Sequence, residues 1–422
     1  MLYTLTIGLS AFLLFLVQPL VSKIILPWFG GGASIWITSL VFFQTMLLAG
    51  YGGTHLLVRL LGLRRHLVFT AGLLIVSVAF LPVHVDVTLG RELPPSPSLL
   101  LILLASVGIP YFLLATTSPT LQYWIANDRR TTHRNPYIEY GFSNLGSMLG
   151  LLAYPFALEL YFDTTSQSWF WTGLYGVYGL LLATTIGMFW PEIAAAPSER
   201  PLSDLSGALH LRWLFLAMIP SALLLVTTHY LTIDVVNLPL LWVAPLCTYL
   251  LTFILCFLKP GLAAPTPWRT AAGAFTILGL VIANYGAFEF GFGTKIFWAL
   301  ACLFVVGMIC HGDLERAKPH KRDLTAFYLQ VSAGGAAGSI LIGIIAPLVF
   351  DTTFEFYLVL IVALYYVSEL ATAAVEDRHP AVARRRPRID HDGFCRQRND
   401  TDRQYDSYRA VLFQHLCCPC VE

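Results

Sequence analysis

The segment LYTLTIGLSAFLLFLVQPLVSKIIL, residues 2–26, decides the fold class of this chain. It is predominantly apolar and long enough for a membrane helix, which needs about 20 residues to cross about 30 Å of hydrocarbon. No basic region precedes it and no small-residue cleavage site follows it, which indicates a retained first membrane span. Its one charged residue, Lys23, lies near its end.

The composition of the whole chain also indicates a membrane protein. Of the 422 residues, 56% are hydrophobic and 12% are charged, with a mean hydropathy of +0.67. A soluble domain carries about 25% charged residues. The formal net charge of +1 offers no basic field to a nucleic-acid backbone, so the expected partner is the lipid bilayer and nucleic acid is excluded.

Further apolar runs predict about twelve transmembrane helices in an all-α fold. They centre near residues 45, 75, 112, 150, 180, 222, 248, 278, 302, 337 and 360. Basic residues collect in cytoplasmic loops, and in this chain they collect in every second connection. These residues are Arg59, Arg64, Arg65, Arg129, Arg130, Arg134, Arg200, Arg212, Lys259, Arg269, Arg316, Lys318, Lys321 and Arg322. Both termini are therefore predicted to be cytoplasmic.

An internal repeat divides the predicted spans into two halves. The string GSMLGLLAYP (146–155) matches GSILIGIIAP (338–347) at an offset of 192, and FDTT (162–165) recurs at 350–353 at an offset of 188. Six predicted helices separate the two copies, so the copies have the same orientation in the membrane. That relation is typical of the two halves of a major facilitator transporter.

The repeat predicts four parts of the chain. A first six-helix half covers residues 1–190, and a second covers 211–372. A cytoplasmic linker rich in Ala, Pro, Ser and Glu, residues 191–210, joins them. The remaining residues, 373–422, carry nine Arg and four of the eight Cys and are predicted to be a disordered cytoplasmic tail. The tail's cysteines lack the paired spacing of a zinc site, so no metal and no cofactor is predicted.

Polar side chains within the spans are the candidate functional residues. A charged group near the bilayer centre costs about 2.5–3.5 kcal/mol on insertion scales, so it needs a partner, water or a ligand. The candidates for substrate binding or a pore are Gln18, Lys23, Gln44, Glu139, Asn144, His229, Asp234 and Trp242. No nucleophile, base and orienting group stand together in the pattern, so no catalytic residue is predicted.

Several candidates also have a structural explanation. Lys23 extends to the outer headgroups, pairs with a carboxylate within the membrane, for which Glu159 and Asp234 are available, or binds an anion. His229 and Asp234 form either a hydrated loop pair or a proton- or amine-binding pair. Trp242 is either a belt or core residue or part of a cage for a cation.

Several strings together resemble one family. They include FLVQP (15–19), ASVGIP (105–110), SNLGS (143–147), LWVAPL (241–246) and CHGDL (310–314). These strings are similar to the membrane half of the membrane-embedded spermidine synthase-like proteins. In that family a transporter-like membrane half precedes an aminopropyltransferase half, which transfers an aminopropyl group from decarboxylated S-adenosylmethionine to putrescine.

The resemblance runs from about Leu2 to about Val367 and then stops. The residues after it are too few for a Rossmann-like sheet, so the aminopropyltransferase half is expected to be absent and no catalytic residue is carried over. The resemblance implies a polyamine or a related amine as substrate and a bacterial inner membrane as location.

Two functions remain open at this point. The first is a transporter or channelling domain for a polyamine or related amine, working by alternating access between the two halves. The second is a membrane anchor or regulator of a separate aminopropyltransferase. An enzyme acting alone is not expected.

Overall fold

The computed structural model is helical wherever it describes the chain, and those parts contain no strand. The residues it describes are 1–30, 33–127, 135–195, 207–232, 241–263, 268, 271, 273–274, 291–319, 323–350, 355–356, 358–363 and 365–366. Seven of the described helices are long and apolar enough to cross a membrane. The predicted fold class, an all-α polytopic membrane protein, is confirmed.

The helices follow the predicted spans. In the first part of the chain they are α1 (Leu2–Phe29), α2 (Ala33–Val78), α3 (Pro95–Asn127), α4 (Pro136–Ala153), a π-helical turn (Tyr154–Leu158), α5 (Glu159–Tyr161) and α6 (Thr164–Ala195). In the second part they are α7 (Gly207–Tyr230), α8 (Val243–Leu258), a 3-10 turn (Pro260–Ala263), α9 (Phe292–Arg316), α10 (Leu324–Ile340), a π-helical turn (Leu341–Ile345) and α11 (Ala346–Val349). The span predicted near residue 278 and the predicted tail lie outside the described residues.

Helix α2 contains two predicted spans, because the chain kinks within it at Gly62. The backbone of Gly62 has φ 72° and ψ 172°, a conformation that glycine adopts without steric cost. The basic residues Arg64 and Arg65 follow the kink directly. The kink therefore replaces the loop predicted between the second and third spans.

Both copies of the repeat make the same helix pair. In the first copy α4 packs on α1, and in the second α10 packs on α7. A Cβ built on Gly146 or Gly150 would meet a backbone carbonyl oxygen of α1 at 2.2 or 2.3 Å, and one built on Gly334 or Gly338 would meet one of α7 at 2.3 or 2.7 Å. Glycine is required in both pairs because the helix backbones touch.

These contacts correct the register of the repeat. Gly146 and Gly334 occupy the same place against their partner helix, and so do Gly150 and Gly338. The glycines are thus related by 188 residues, like the FDTT strings, and not by 192. In this register Pro347 lies one helical turn further along its helix than Pro155 does. The backbone contacts at the glycines, and not the prolines, align the two copies.

The buried side chains form two large clusters. One contains residues between Tyr3 and Phe189. The other contains residues from α7 onwards, together with Tyr137 and Tyr140 of α4. Between the two copies, α2 packs on α10 and α4 packs on α8. Helix α6 extends to Ala195 and α7 begins at Gly207, so helices continue into the predicted linker at both ends.

Candidate functional site

Polar contacts cross between the two copies of the repeat where α3 approaches α10. The hydroxyl of Tyr328 on α10 donates a hydrogen bond to Oε1 of Gln122 on α3. The Nε2 of Gln122 donates to Oγ of Ser118 at 2.8 Å. Gln122 and Tyr328 are fully buried, so their hydrogen bonds replace water that is excluded from this place.

Two more hydrogen bonds cross between the copies. Nδ1 of His55 on α2 lies 2.9 Å from Oγ1 of Thr325 at the start of α10. The hydroxyl of Tyr137 at the start of α4 donates to the carbonyl oxygen of Pro319, after α9, at 2.7 Å. These positions lie near the connections that carry most of the basic residues. We call the three contacts, Gln122–Tyr328, His55–Thr325 and Tyr137–Pro319, the inter-repeat latch.

Aromatic rings surround the latch. The ring of Tyr328 lies 5.0 Å from that of Tyr140, 6.2 Å from that of Tyr137 and 6.3 Å from that of Tyr51. Tyr140 also packs edge-on against Phe253 of α8, with 5.5 Å between ring centroids. The interface therefore combines apolar ring faces with a few hydroxyl and amide groups, as small-molecule sites do.

Local sequence positions the latch residues of α4. Asn135 is the N-cap of this helix and its side chain accepts a hydrogen bond from the backbone N–H of Tyr137 at 3.1 Å, while Pro136 occupies the first turn. Both are favoured helix-start signals. The predicted site residue Glu139 lies in the same turn, at the end of the helix where acidic side chains are favoured.

Lys23 pairs with Glu159, one of its two candidate partners. Its Nζ lies 2.8 Å from Oε2 of Glu159, and each side chain is 33% exposed. The pair joins α1 to α5. The other candidate partner, Asp234, lies outside the described residues.

His229 pairs with Glu355. The Nδ1 of His229 lies 3.0 Å from Oε1 of Glu355, whose side chain is 6% exposed. The predicted partner of His229 was Asp234, and Glu355 could not be predicted because a partner more than a hundred residues away leaves no local signal. The glycine contacts relate Gly8 to Leu214 and Phe12 to Met218, and the same shift places His229 at the position of Lys23.

The other predicted residues have separate surroundings. Nε2 of Gln18 donates to the hydroxyl of Tyr111 at 3.2 Å and to the carbonyl of Leu14 at 3.3 Å. Buried Glu139 accepts a hydrogen bond from Thr4 at 3.1 Å.

Three predicted residues lie on α4, on α2 and at the start of α8. Asn144 donates to the carbonyl of Tyr140 at 2.8 Å, within α4. Gln44 is half-buried on α2, and Trp242 is half-buried at the N-cap of α8. The predicted residues thus lie on several helices and do not coincide with the latch, which the sequence analysis did not single out.

Comparison with solved structures assigns the fold. A crystal structure of a POT family transporter in complex with 5-aminolevulinic acid superimposes with a TM-score of 0.52 at 13% sequence identity, covering 88% of this chain and 95% of that chain. No family model matches this chain, and no curated protein matches its sequence. The chain is a multi-pass membrane protein with a transporter-like fold.

Proposed function

We propose that this protein transports a small molecule by alternating access between two six-helix halves, residues 1–190 and 211–372, joined by the linker 191–210. The observation that carries the proposal is the inter-repeat latch. Within each copy, helices touch through glycine backbones, whereas the contacts between the copies are the hydrogen bonds of the latch and side-chain packing such as that of Tyr140 on Phe253. Tight contacts within each half and separable contacts between halves are what rocking of rigid bodies requires.

In this proposal the latch blocks access to the substrate from one side of the membrane. The basic connections favour a cytoplasmic location for that side and for both termini. A hydrogen bond contributes about 0.5–1.5 kcal/mol net, so three of them can be broken by a ligand that prefers the opposite state. In this proposal the latch opens when a substrate bound between the halves favours opening.

The proposed substrate is a polyamine or a related amine. Its support is the resemblance to the membrane half of spermidine synthase-like proteins, together with the tyrosine faces around the latch, which can attract a cation. The proposed substrate-binding or pore residues are Gln18, Lys23, Gln44, Glu139, Asn144, His229, Asp234 and Trp242. The POT family transporter, similar in fold, is in complex with 5-aminolevulinic acid. A bacterial inner membrane is the proposed location.

Flux measurements test this function. Purified protein in proteoliposomes is expected to exchange labelled putrescine or spermidine across the membrane. Labelled 5-aminolevulinic acid serves as a comparison, since it carries a carboxylate as well as an amine. Flux of that compound without polyamine flux would contradict the amine assignment and retain the transporter. Absence of all flux from folded protein would contradict transport. It would favour the alternative function, a membrane anchor or regulator, and the separate aminopropyltransferase would then be sought by co-purification.

Breaking the Lys23–Glu159 pair is expected to abolish transport without unfolding the protein. The pair is one-third exposed, so Lys23→Ala should lower stability by no more than about 1 kcal/mol. Transport should fall because Lys23 is one of the proposed substrate-binding or pore residues and because Glu159 loses its countercharge. Uptake and thermal unfolding are measured for Lys23→Ala, Glu159→Ala and the charge-exchanged pair Lys23→Glu with Glu159→Lys. Normal uptake by Lys23→Ala would show that the pair is structural and that transport does not need it.

A further inference from the structure

His311 of α9 is a buried histidine that the proposed transport cycle has not used. It lies in the CHGDL string, and its side chain is completely inaccessible to solvent. Nδ1 of its ring lies 2.8 Å from Oγ1 of Thr252 on α8. Its ring also stacks on that of Phe253, with 3.5 Å between ring centroids.

The hydrogen bonds of Thr252 fix the tautomer of this ring. The Thr252 hydroxyl has one proton and donates it to the carbonyl oxygen of Tyr249 at 2.7 Å. A carbonyl can only accept, so both contacts are satisfied when Nδ1 of His311 carries the proton and donates it to Oγ1. Nε2 of His311 then holds a lone pair. Among the described residues it has no hydrogen-bond partner.

A buried nitrogen lone pair that accepts no hydrogen bond is unusual. Buried polar groups almost always have a partner, and each exception calls for an explanation. A proton on Nε2 would create a cation away from water, which is costly in this conformation. The ring is therefore neutral here and ready to accept a proton once water reaches it.

A short chain of rings connects His311 to the contact between the two copies. Tyr140 of α4 packs on Phe253 of α8, and Phe253 covers His311. Because α4 and α8 belong to different copies of the repeat, rocking moves Tyr140 away from Phe253. In the proposed motion this removes packing that holds the Phe253 ring against His311.

We infer that Nε2 of His311 is a proton-binding site that couples proton movement to transport. The inference rests on the proposed transport function and names its coupling ion. When α4 and α8 separate, a hydronium ion from the aqueous phase gives one proton to the Nε2 lone pair, so that one O–H bond breaks, one N–H bond forms and water is released. When the halves close again, burial of the imidazolium drives the proton off, so proton binding and conformation are linked.

Other titratable and charged groups near His311 lie on α9 itself and on the elements packed near it. Asp313 and Glu315 of α9 pair with Arg316 and Lys318, respectively. The remaining groups on α9 and on the elements packed near it are Lys295, Cys302 and Cys310 of α9, Cys247, Tyr249 and Cys256 of α8, Lys259 beside the 3-10 turn, Tyr140 of α4, and His210, Arg212, His229 and Tyr230 of α7. Of these, Tyr249 has its ring edge-on to His311, with 5.1 Å between ring centroids.

His66 of α2 provides a matched control. It is also a buried histidine, but Nε1 of Trp124 donates to its Nδ1 at 3.4 Å. Its proton is therefore on Nε2, the opposite tautomer. Asparagine at either position can keep the hydrogen bond made by Nδ1 but has no atom in place of Nε2. His311→Asn and His66→Asn therefore make the same chemical change at two buried positions.

The test uses proteoliposomes with the membrane potential held at zero. Labelled spermidine is the probe, and the pH gradient is applied in both directions. If one proton is coupled to each substrate molecule, a one-unit pH gradient in one of these directions should give about tenfold accumulation in the wild type. His311→Asn should lose this accumulation and retain exchange at equal pH, and His66→Asn should behave like the wild type.

Four outcomes decide the inference. Gradient-driven accumulation by His311→Asn would overturn it, and so would wild-type exchange that is insensitive to the gradient; neither affects the transporter proposal. Absence of exchange in the wild type would overturn both. Independently of transport, nitrogen NMR of labelled histidine should show His311, identified by its loss in His311→Asn, as the Nδ1–H tautomer at neutral pH. The Nε2–H tautomer would overturn the site.

Discussion

Gly146→Ala is expected to lower the free energy of unfolding by about 1–3 kcal/mol, the usual cost of overpacking a close contact. The added Cβ would lie 2.2 Å from the carbonyl oxygen of Gly8 and 3.0 Å from its Cα. Because the obstacle is helix backbone and not a flexible side chain, α1 and α4 must move apart. Thermal unfolding of the purified protein in detergent measures the effect.

Gly335→Ala is the control for this substitution. It lies inside α10, and a Cβ built on it meets nothing within 4 Å. Alanine is favoured over glycine in a helix interior by about 1 kcal/mol, so this variant should be as stable as the wild type or more stable. Gly334→Ala should behave like Gly146→Ala, because its Cβ would lie 2.3 Å from the carbonyl oxygen of Leu214. Wild-type stability of both Gly146→Ala and Gly334→Ala would contradict the glycine-mediated helix pairing.

Joining the two halves covalently at the latch is expected to abolish transport. The side chains of His55 and Thr325 are in hydrogen-bond contact between α2 and α10. In a background without the native cysteines, His55→Cys with Thr325→Cys should cross-link on oxidation or with a short bifunctional thiol reagent. Alternating access requires these helices to separate. Flux should therefore fall to background and return with reductant after disulfide formation.

A cross-link within one half is the matched control. Oγ of Ser221 on α7 lies 3.5 Å from Oγ of Ser339 on α10, and serine to cysteine changes little else. Ser221→Cys with Ser339→Cys joins two helices of the same half that are proposed to move together, so oxidation should leave flux intact. Full flux from the protein cross-linked at His55 and Thr325 would contradict the rocking mechanism.

The helical membrane fold could be predicted from the sequence because the relevant signal is local. Long apolar runs such as residues 2–26 satisfy their backbone hydrogen bonds only as helices in a bilayer. Glu159 could also be predicted as a partner for Lys23, since charges within a membrane span need partners. The Gln122–Tyr328 contact could not be predicted, because each residue alone resembles an ordinary polar residue in an apolar helix.

The sequence by itself determined that the chain spans a membrane as helices and that part of it is repeated. Hydropathy and repeated strings are properties of consecutive residues. Only the tertiary structure decided the register of the repeat, the pairing of His229 with Glu355 and the buried lone pair of His311. These features depend on which helix faces which, and distant residues such as Thr252 and His311 meet only after the helices have packed.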